Sequence, residues 1–581
     1  MKTVLSRALA AVVVAGLPLG VAAADVPEAL DRVPASTPVV ISIGNVNAFF
    51  TQAEAITTAL QQQEAQMGVQ MAKMMLSMPG INAEGSAAIA MTSIENLEEQ
   101  KEPPMVAIIP VTDYAAMVAN FGGTGEGLEA LDFEGNTVYI RDLGDGFAAL
   151  GPMEDVLANF DASAGNTDDH NTFMGETGSR MSDDNAVLII ANMDNLREPM
   201  LEGWEEASEN MGQMMAMGGA QADQMAGQME MMDALVRGFA RDADRALMGV
   251  SGGEYGFSFE IGANFKEGTE LANTFADAGD AGSMLGKLPG GPYLFAYAMD
   301  YSAPGIKDML AKIGEMGGEE AGGMAGLNPM DFLDNATGLA QVMGVSPGGL
   351  MGGGLLTNMS AVFTVDDADG LVSAFGEQIG EANDQVVNGI SMTTSYSAEA
   401  ETIGGADAHR WSIQMLPDMS QPGAMQMQMM MPMLFGPSGG PAGYIAAADD
   451  SSVVVTYSTK SQNVENAINA ARNGGALAAD QLLMQQAERL HSEPFMVAYV
   501  DGGSILNTVL PTVAMFMGPV NVDIPEHVTP LGLSAQANGG GMSFRAVVPT
   551  DLIEVSKQTA AAFEGMAGGG MGDGQEAPPS F

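Results

Sequence analysis

The sequence predicts an α+β protein made of two duplicated halves, each an antiparallel-dominated (mixed) sheet covered by helices. Three observations predict it. Pro38-Val39-Val40-Ile41-Ser42-Ile43 matches Pro292-Tyr293-Leu294-Phe295-Ala296-Tyr297 at an offset of 254 residues. Met105 to Phe121 matches Met359 to Phe375 at that same offset without a gap. Gly256-Phe257-Ser258-Phe259 and Gly541-Met542-Ser543-Phe544 then repeat a Gly-rich turn into a strand, at an offset of 285. Self-similarity on this scale implies duplicated domains and not the short stacked units of a solenoid.

Taken in order, residues 1–24 read as a secretory signal: Lys2 and Arg7, the apolar run Ala8 to Ala23, then Ala22-Ala23-Ala24 before Asp25. The run is short and broken by Pro18 and Gly20, which separates it from a membrane anchor. Residues 25–287 form the first half, expected as strand–helix, strand–helix, a hairpin and helix near Val138 to Phe160, strand–helix and hairpin–helix. The second half, 288–563, repeats that order and carries a Met-rich insertion near 415–443, between strands around His409 to Gln414 and Val453 to Tyr457. Residues 564–581, rich in Gly, read as a disordered tail. Hairpins are the clearer signal, so antiparallel sheets with helices on one face are expected.

Apolar runs repeatedly end at an Asn or Asp before a helical pattern: Asn45, Asn47, Asp113, Asp194, Asp300, Asp367, Asp501 and Asp551. An Asx side chain there accepts a hydrogen bond from an orphan amide of the first turn, worth roughly 1 kcal/mol. These residues are expected to be caps, not catalysts.

With 21 Lys+Arg against 73 Asp+Glu, the formal net charge is −52. Such a surface repels nucleic acid and anionic lipid, which excludes both as partners, and it suits a protein that stays soluble in salt. A calcium role fails at its best motif. Aligning Gly370 of Asp366-Asp367-Ala368-Asp369-Gly370 with the turn glycine of an EF-hand puts Val365 at the first ligand position and Gly376 at the twelfth. The chain has no Cys, so neither disulfides nor lipidation at a cysteine supports it. No later stretch has the roughly 18 uninterrupted apolar residues of a spanning helix. The expectation is an exported, soluble, periplasmic or extracellular chain with no transmembrane segment after signal cleavage.

Methionine is the unusual chemistry, with 48 residues in clusters. Met67, Met71, Met74, Met75 and Met78 fall at i, i+4, i+7, i+8 and i+11, one face of a helix. Met211, Met214 and Met215 open a second run that continues to Met232. Met425, Met427, Met429, Met430, Met431 and Met433 are too dense for one face, and Pro432 limits any helix there. Three readings compete: flexible apolar filling of helix faces packed on the sheets, an adaptable apolar surface for a hydrophobic ligand or protein partner, and Cu(I) held by thioethers. The first two clusters, Met67 to Met78 and Met211 to Met215, are the candidate ligand surface. Met425, Met427, Met429, Met431 and Met433 are the copper candidates, with no His beside them. Copper predicts loss of binding when Met425, Met427 and Met429 become Leu; packing predicts tolerance.

Catalytic signatures are sparse. The four His (His170, His409, His491 and His527) show no metal-ligand spacing, and Cys nucleophiles are excluded by composition. Gly249-Val250-Ser251-Gly252-Gly253 lacks a nucleophile-elbow pattern. A hydrolase using carboxylates remains as an alternative, and it requires clustered acids with raised pKa values in one pocket.

Leu30-Asp31-Arg32-Val33-Pro34-Ala35-Ser36-Thr37-Pro38 running into Val39 to Ile43, with its echo Lys287-Leu288-Pro289 before Tyr293 to Tyr297, resembles an uncharacterised domain-of-unknown-function family of secreted bacterial proteins. These carry a P-x-x-T-P lead into an apolar strand and then a helix. The resemblance implies strand–helix units over most of the mature chain and brings no catalytic residues. The resulting expectation is a non-catalytic binding or envelope structural protein that uses no cofactor, with a Met-rich apolar surface for a hydrophobic ligand or an envelope protein.

Overall fold

The computed structural model describes residues 27–569 apart from 61, 95–102, 134, 217–221, 254, 318–334, 347–348, 350–352, 388, 421–423, 519–521 and 526. The expected signal, 1–24, and residues 570–581 of the expected tail lie outside the described residues. The fold is α+β. One sheet of twenty strands contains β1 (Val39–Ile43), β2 (Ala87–Met91), β3 (Met105–Pro110), β4 (Leu128–Phe133), β5 (Asn136–Gly144), β6 (Phe147–Gly151), β7 (Val187–Asn192), β8 (Ala243–Gly253), β9 (Gly256–Phe265) and β10 (Tyr293–Asp300). It continues through β11 (Ala336–Gly344), β12 (Met359–Val365), β13 (Val386–Val387), β14 (Ile390–Ile403), β15 (Ala406–Pro417), β16 (Ala442–Asp449), β17 (Ser452–Thr456), β18 (Met496–Val500), β19 (Leu531–Asn538) and β20 (Gly541–Pro549).

The sheet is continuous through the pairing of β9 with β20. Outward from that pair, one side runs β8-β7-β1-β2-β3-β6-β5-β4. The other runs β19-β18-β10-β11-β12-β17-β16-β15-β14-β13. Each of these pairings is antiparallel, so the mixed component expected from the sequence is not found among the described residues. The sheet order also corrects one correspondence. The hairpin β16–β17 takes the place that β5–β6 holds on the first side, and the strand containing His409 to Gln414 lies one position further out, beside β16.

Helices cover both faces, not one. Val40, Leu188, Ile190 and Leu247 pack against Met174 and Met181 of the helix Thr167–Asp184. Ile43 and Val187, which point the other way, pack against Val46 and Phe49 of the helix Val46–Ala59. Successive strand residues alternate in direction, so the two helices lie on opposite faces. Burying each Leu, Ile or Phe side chain contributes roughly 1.5–3 kcal/mol. Where β9 meets β20, Gly256 has φ +134 and its Cα faces the Val548 carbonyl, so a side chain there would strike backbone.

Four of the eight expected caps cap. Asn45, Asp113, Asp367 and Asp501 accept from the amides of Ala48, Ala116, Gly370 and Ser504. Asn47 instead donates to Glu84. Asp194 lies inside its helix and accepts from Lys266, while Asn192 takes the amide of Asp194. Asp300 accepts from the amides of Asp280 and Ser302, and Asp551 receives both the amide and the hydroxyl of Thr529. The C-terminal helix spans Thr550–Gly569, so 564–569 of the expected tail are helical.

Candidate functional site

The helix Val46–Ala59 lies on the sheet, and the helix Gln63–Leu76 folds back onto it. Val69 packs beside Ala53 and Phe50, Leu76 joins the cluster around Phe49, and Lys73 pairs with Glu54. At 100° per residue, Val69 and Leu76 fall on one side of the second helix, and Met67, Met71, Met74 and Met75 on the opposite side. Those four are 60%, 55%, 67% and 45% exposed. The apolar stripe that the sequence offers as a packing face therefore points outward. Met78 departs from the expected row: it follows the helix in a turn, with its amide on the Met75 carbonyl, and is half-buried.

The second cluster lies on two helices, Met193–Ala216 and Ala222–Asp242. Met211 is half-buried; Met214 and Met215 belong to the first helix, and their side chains lie outside the described residues. On the partner helix, Met232 and Leu235 are exposed.

The third cluster is a helix after all, Ala424–Phe435, with Pro432 inside it. Ala424, Met431 and Phe435 form its buried seam, and Met431 and Phe435 pack on Leu356. The carbonyls of Met433 and Leu434 accept from the amides of Leu355 and Leu356, which anchors the last turn. Met425, Met427 and Met429 are exposed, Met431 is 7% exposed and Met433 is half-buried. The five copper candidates thus point in different directions and do not converge as one ligand set. Among the described residues, no group of three or more His, Cys, Asp or Glu side chains could hold a metal ion either.

Methionine supplies twelve of the eighteen exposed large apolar side chains among the described residues, so the large apolar groups turned to the outside are chiefly thioethers. It forms helix faces, not a groove. Two surface hollows, of about 460 Å³ and about 400 Å³, lie elsewhere. The larger runs between β19–β20 and the C-terminal helix, lined by Leu531, Val548, Leu552 and Ile553. The smaller is walled by Pro34, Thr37, Asp155 and Phe160.

A second constellation went unseen in the sequence. On β9, against which the helix Thr167–Asp184 packs, Ser258 and Glu260 are buried, while Phe259 and Ile261 sit on the more open face. Glu260 receives Arg545 through Nε at 3.0 Å and Nη2 at 2.7 Å, and Arg180 and Asn185 as well. His491 Nε2 donates to its Oε1 at 2.9 Å, and the Ser534 hydroxyl donates to His491 Nδ1 at 2.9 Å. Burial opposes the charge of Glu260, but the hydrogen bond from His491 and the guanidiniums of Arg545 and Arg180 hold the carboxyl well below its usual range. For His491, burial outweighs the bond and charge of Glu260 and lowers its pKa.

Ser534, His491 and Glu260 form a hydroxyl–imidazole–carboxylate chain like a hydrolytic triad, but with the two ring nitrogens exchanged. Their setting is sealed: Ser534 and Glu260 are each 0% exposed, and neither hollow is lined by any of the three. Every carboxyl with a resolved shift among the described residues lies below its ordinary value, opposite to what a general acid requires. The cluster is a structural tie between β9 and β20. A signal that could have found it is the pair of Gly-x-Ser-Phe segments, Gly256 to Phe259 and Gly541 to Phe544, which are followed by Glu260 and Arg545, residues of opposite charge.

No helix among the described residues is long and apolar enough to cross a membrane. Set against known proteins, the chain matches no family model, no curated protein and no solved structure.

Proposed function

We propose that this is an exported, non-catalytic binding protein of the cell envelope whose exposed methionine rows engage an uncharged apolar ligand or partner surface. The observation that carries the reading is the outward stripe Met67, Met71, Met74 and Met75, set opposite the stripe that anchors the same helix. A helix that needed methionine only for packing would turn that stripe inward, as the helix Thr167–Asp184 does with Met174 and Met181. Charge supports an uncharged partner. On a chain of net charge −52, Gln63–Leu76 carries only Glu64 and Lys73, and 419–448 carries no charged residue at all. Unbranched thioether side chains adapt to varied apolar shapes, which suits a surface with no fixed cavity. The resemblance of the P-x-x-T-P lead to secreted bacterial proteins supports export. The mirrored strand order around β9–β20 fits the internal duplication read from the sequence.

Native mass spectrometry of the chain purified gently from its own envelope tests this. A co-purifying uncharged apolar molecule or a defined protein partner is the expected result. A clean mass of the chain alone, together with no retention of a neutral apolar dye, would overturn it.

A further inference from the structure

The outward thioethers have a chemistry of their own. The chain has no Cys, so methionine is its entire sulfur inventory and its softest nucleophile toward two-electron oxidants. The structure sorts these sulfurs sharply. Met117, Met174 and Met181 are at most 1% exposed, whereas Met67 and Met74 are 60% and 67% exposed. The contrast recurs within one helix, where Met429 is 64% and Met431 is 7% exposed.

The helices that carry these exposed sulfurs are anchored by other residues. Gln63–Leu76 is held by Val69, Leu76 and the Lys73–Glu54 pair. Ala424–Phe435 is held by Ala424, Met431, Phe435 and the amides of Leu355 and Leu356. Changing the polarity of the outward sulfurs therefore leaves each anchor in place.

We infer that the row Met67-Met71-Met74-Met75 and the exposed group Met425, Met427, Met429 and Met430 are sulfoxidation sites, at which a peroxide converts the apolar surface into a polar one while the fold persists. In the step, a thioether lone pair attacks one oxygen of hydrogen peroxide and the O–O bond breaks. The departing hydroxide takes the proton left on the transferred oxygen. Sulfide and peroxide give sulfoxide and water; sulfur loses two electrons and the peroxide gains them. A sulfoxide is polar and a strong acceptor, so a row of four no longer offers a dry apolar stripe. The selectivity stands by itself; its consequence as a switch on ligand capture rests on the binding role proposed above.

The test is graded hydrogen peroxide treatment of the full chain, read by peptide mass spectrometry, far-UV circular dichroism and retention on a hydrophobic-interaction column. The row and the group should take up oxygen at least about tenfold faster than Met431, Met117, Met174 and Met181, as exposure dictates. Retention should drop once both are oxidised, with the helical signal unchanged. Equal rates at Met429 and Met431, loss of the helical signal as both oxidise, or unchanged retention would each overturn the inference. Selective oxidation with lowered retention, in a chain whose reduced form captures no neutral apolar dye, would uphold the inference and sink the binding role alone.

Discussion

Glu260 and Arg545 face each other directly across β9 and β20, the one strand pair that joins the two sides of the sheet. Arg545 places two nitrogens on Glu260 Oε2, at 3.0 Å and 2.7 Å, and also bonds Asp184. Arg180 and His491 complete the enclosure from elements on the two sides. A buried carboxylate with this many donors ties the two sides of the sheet in one register, because a slip by one residue would leave it facing the open side of the sheet.

Replacing Glu260 by Gln keeps the shape and removes the charge that Arg545 and Arg180 face. Breaking one partner of such a buried pair is expected to cost about 3–5 kcal/mol, read by urea unfolding. The double variant Glu260→Leu with Arg545→Leu should recover part of the loss, since two apolar groups leave no buried charge unpaired. Full stability in Glu260→Gln would show that the tie is dispensable.

Acidification should weaken the fold in two stages. His491 and His170 are both lowered, chiefly by burial. The unfolded chain takes a proton on each near about pH 6.5 and the folded chain does so only at lower pH, so stability falls as pH drops below that value. Glu260 adds a second loss. Its contribution is complete above its unfolded value of 4.5 and disappears as pH falls toward its depressed folded value. Chemical unfolding at about pH 7.5 and about pH 5.5 should show the first stage, reduced in His491→Gln. Equal stability at both pH values in the native chain would contradict it.

Within the helix Ala424–Phe435, position decides the cost of losing a methionine. Met431→Ala removes a buried side chain from the Leu356 and Phe435 cluster and should cost about 2–5 kcal/mol. Met429→Ala, at the surface, should stay within about 0.5 kcal/mol. Thermal unfolding of the two variants compares them directly, and equal losses would mean that the seam is misassigned.

Much of the fold was legible because periodicity and turn chemistry are local. The Met67 to Met75 spacing marks a helix, and the apolar runs at Val39, Met105 and Met359 mark strands. β2 and β11 were missed because they are dominated by Ala, Gly and Met, with Ile89 the one β-branched residue of Ala87–Met91 and only Thr337 and Val342 in the Gly-bearing Ala336–Gly344. Their small side chains fit a sheet covered on both faces. The direction of the Met67 stripe was not legible either, since period 3.6 identifies an apolar face without saying which side of the helix meets the sheet. On β9 the pattern misleads outright. Ser258 and Glu260 alternate with Phe257, Phe259 and Ile261 like an outward polar face, yet the polar set is the buried one. Partners distant in sequence, the guanidiniums of Arg180 and Arg545 and the imidazole of His491, reverse the usual cost of burial.

The central claim, that the outward methionine row is a binding surface, is tested most directly by titrating a neutral apolar dye such as Nile red into three chains. These are the native chain, a variant with Met67, Met71, Met74 and Met75 all replaced by Leu, and one with all four replaced by Gln. The account predicts retained binding in the Leu variant, at least about tenfold weaker binding in the Gln variant, and equal unfolding midpoints for all three, because surface substitutions away from an anchor stay within about 0.5 kcal/mol. Equal dye binding by the native and Gln chains would contradict it.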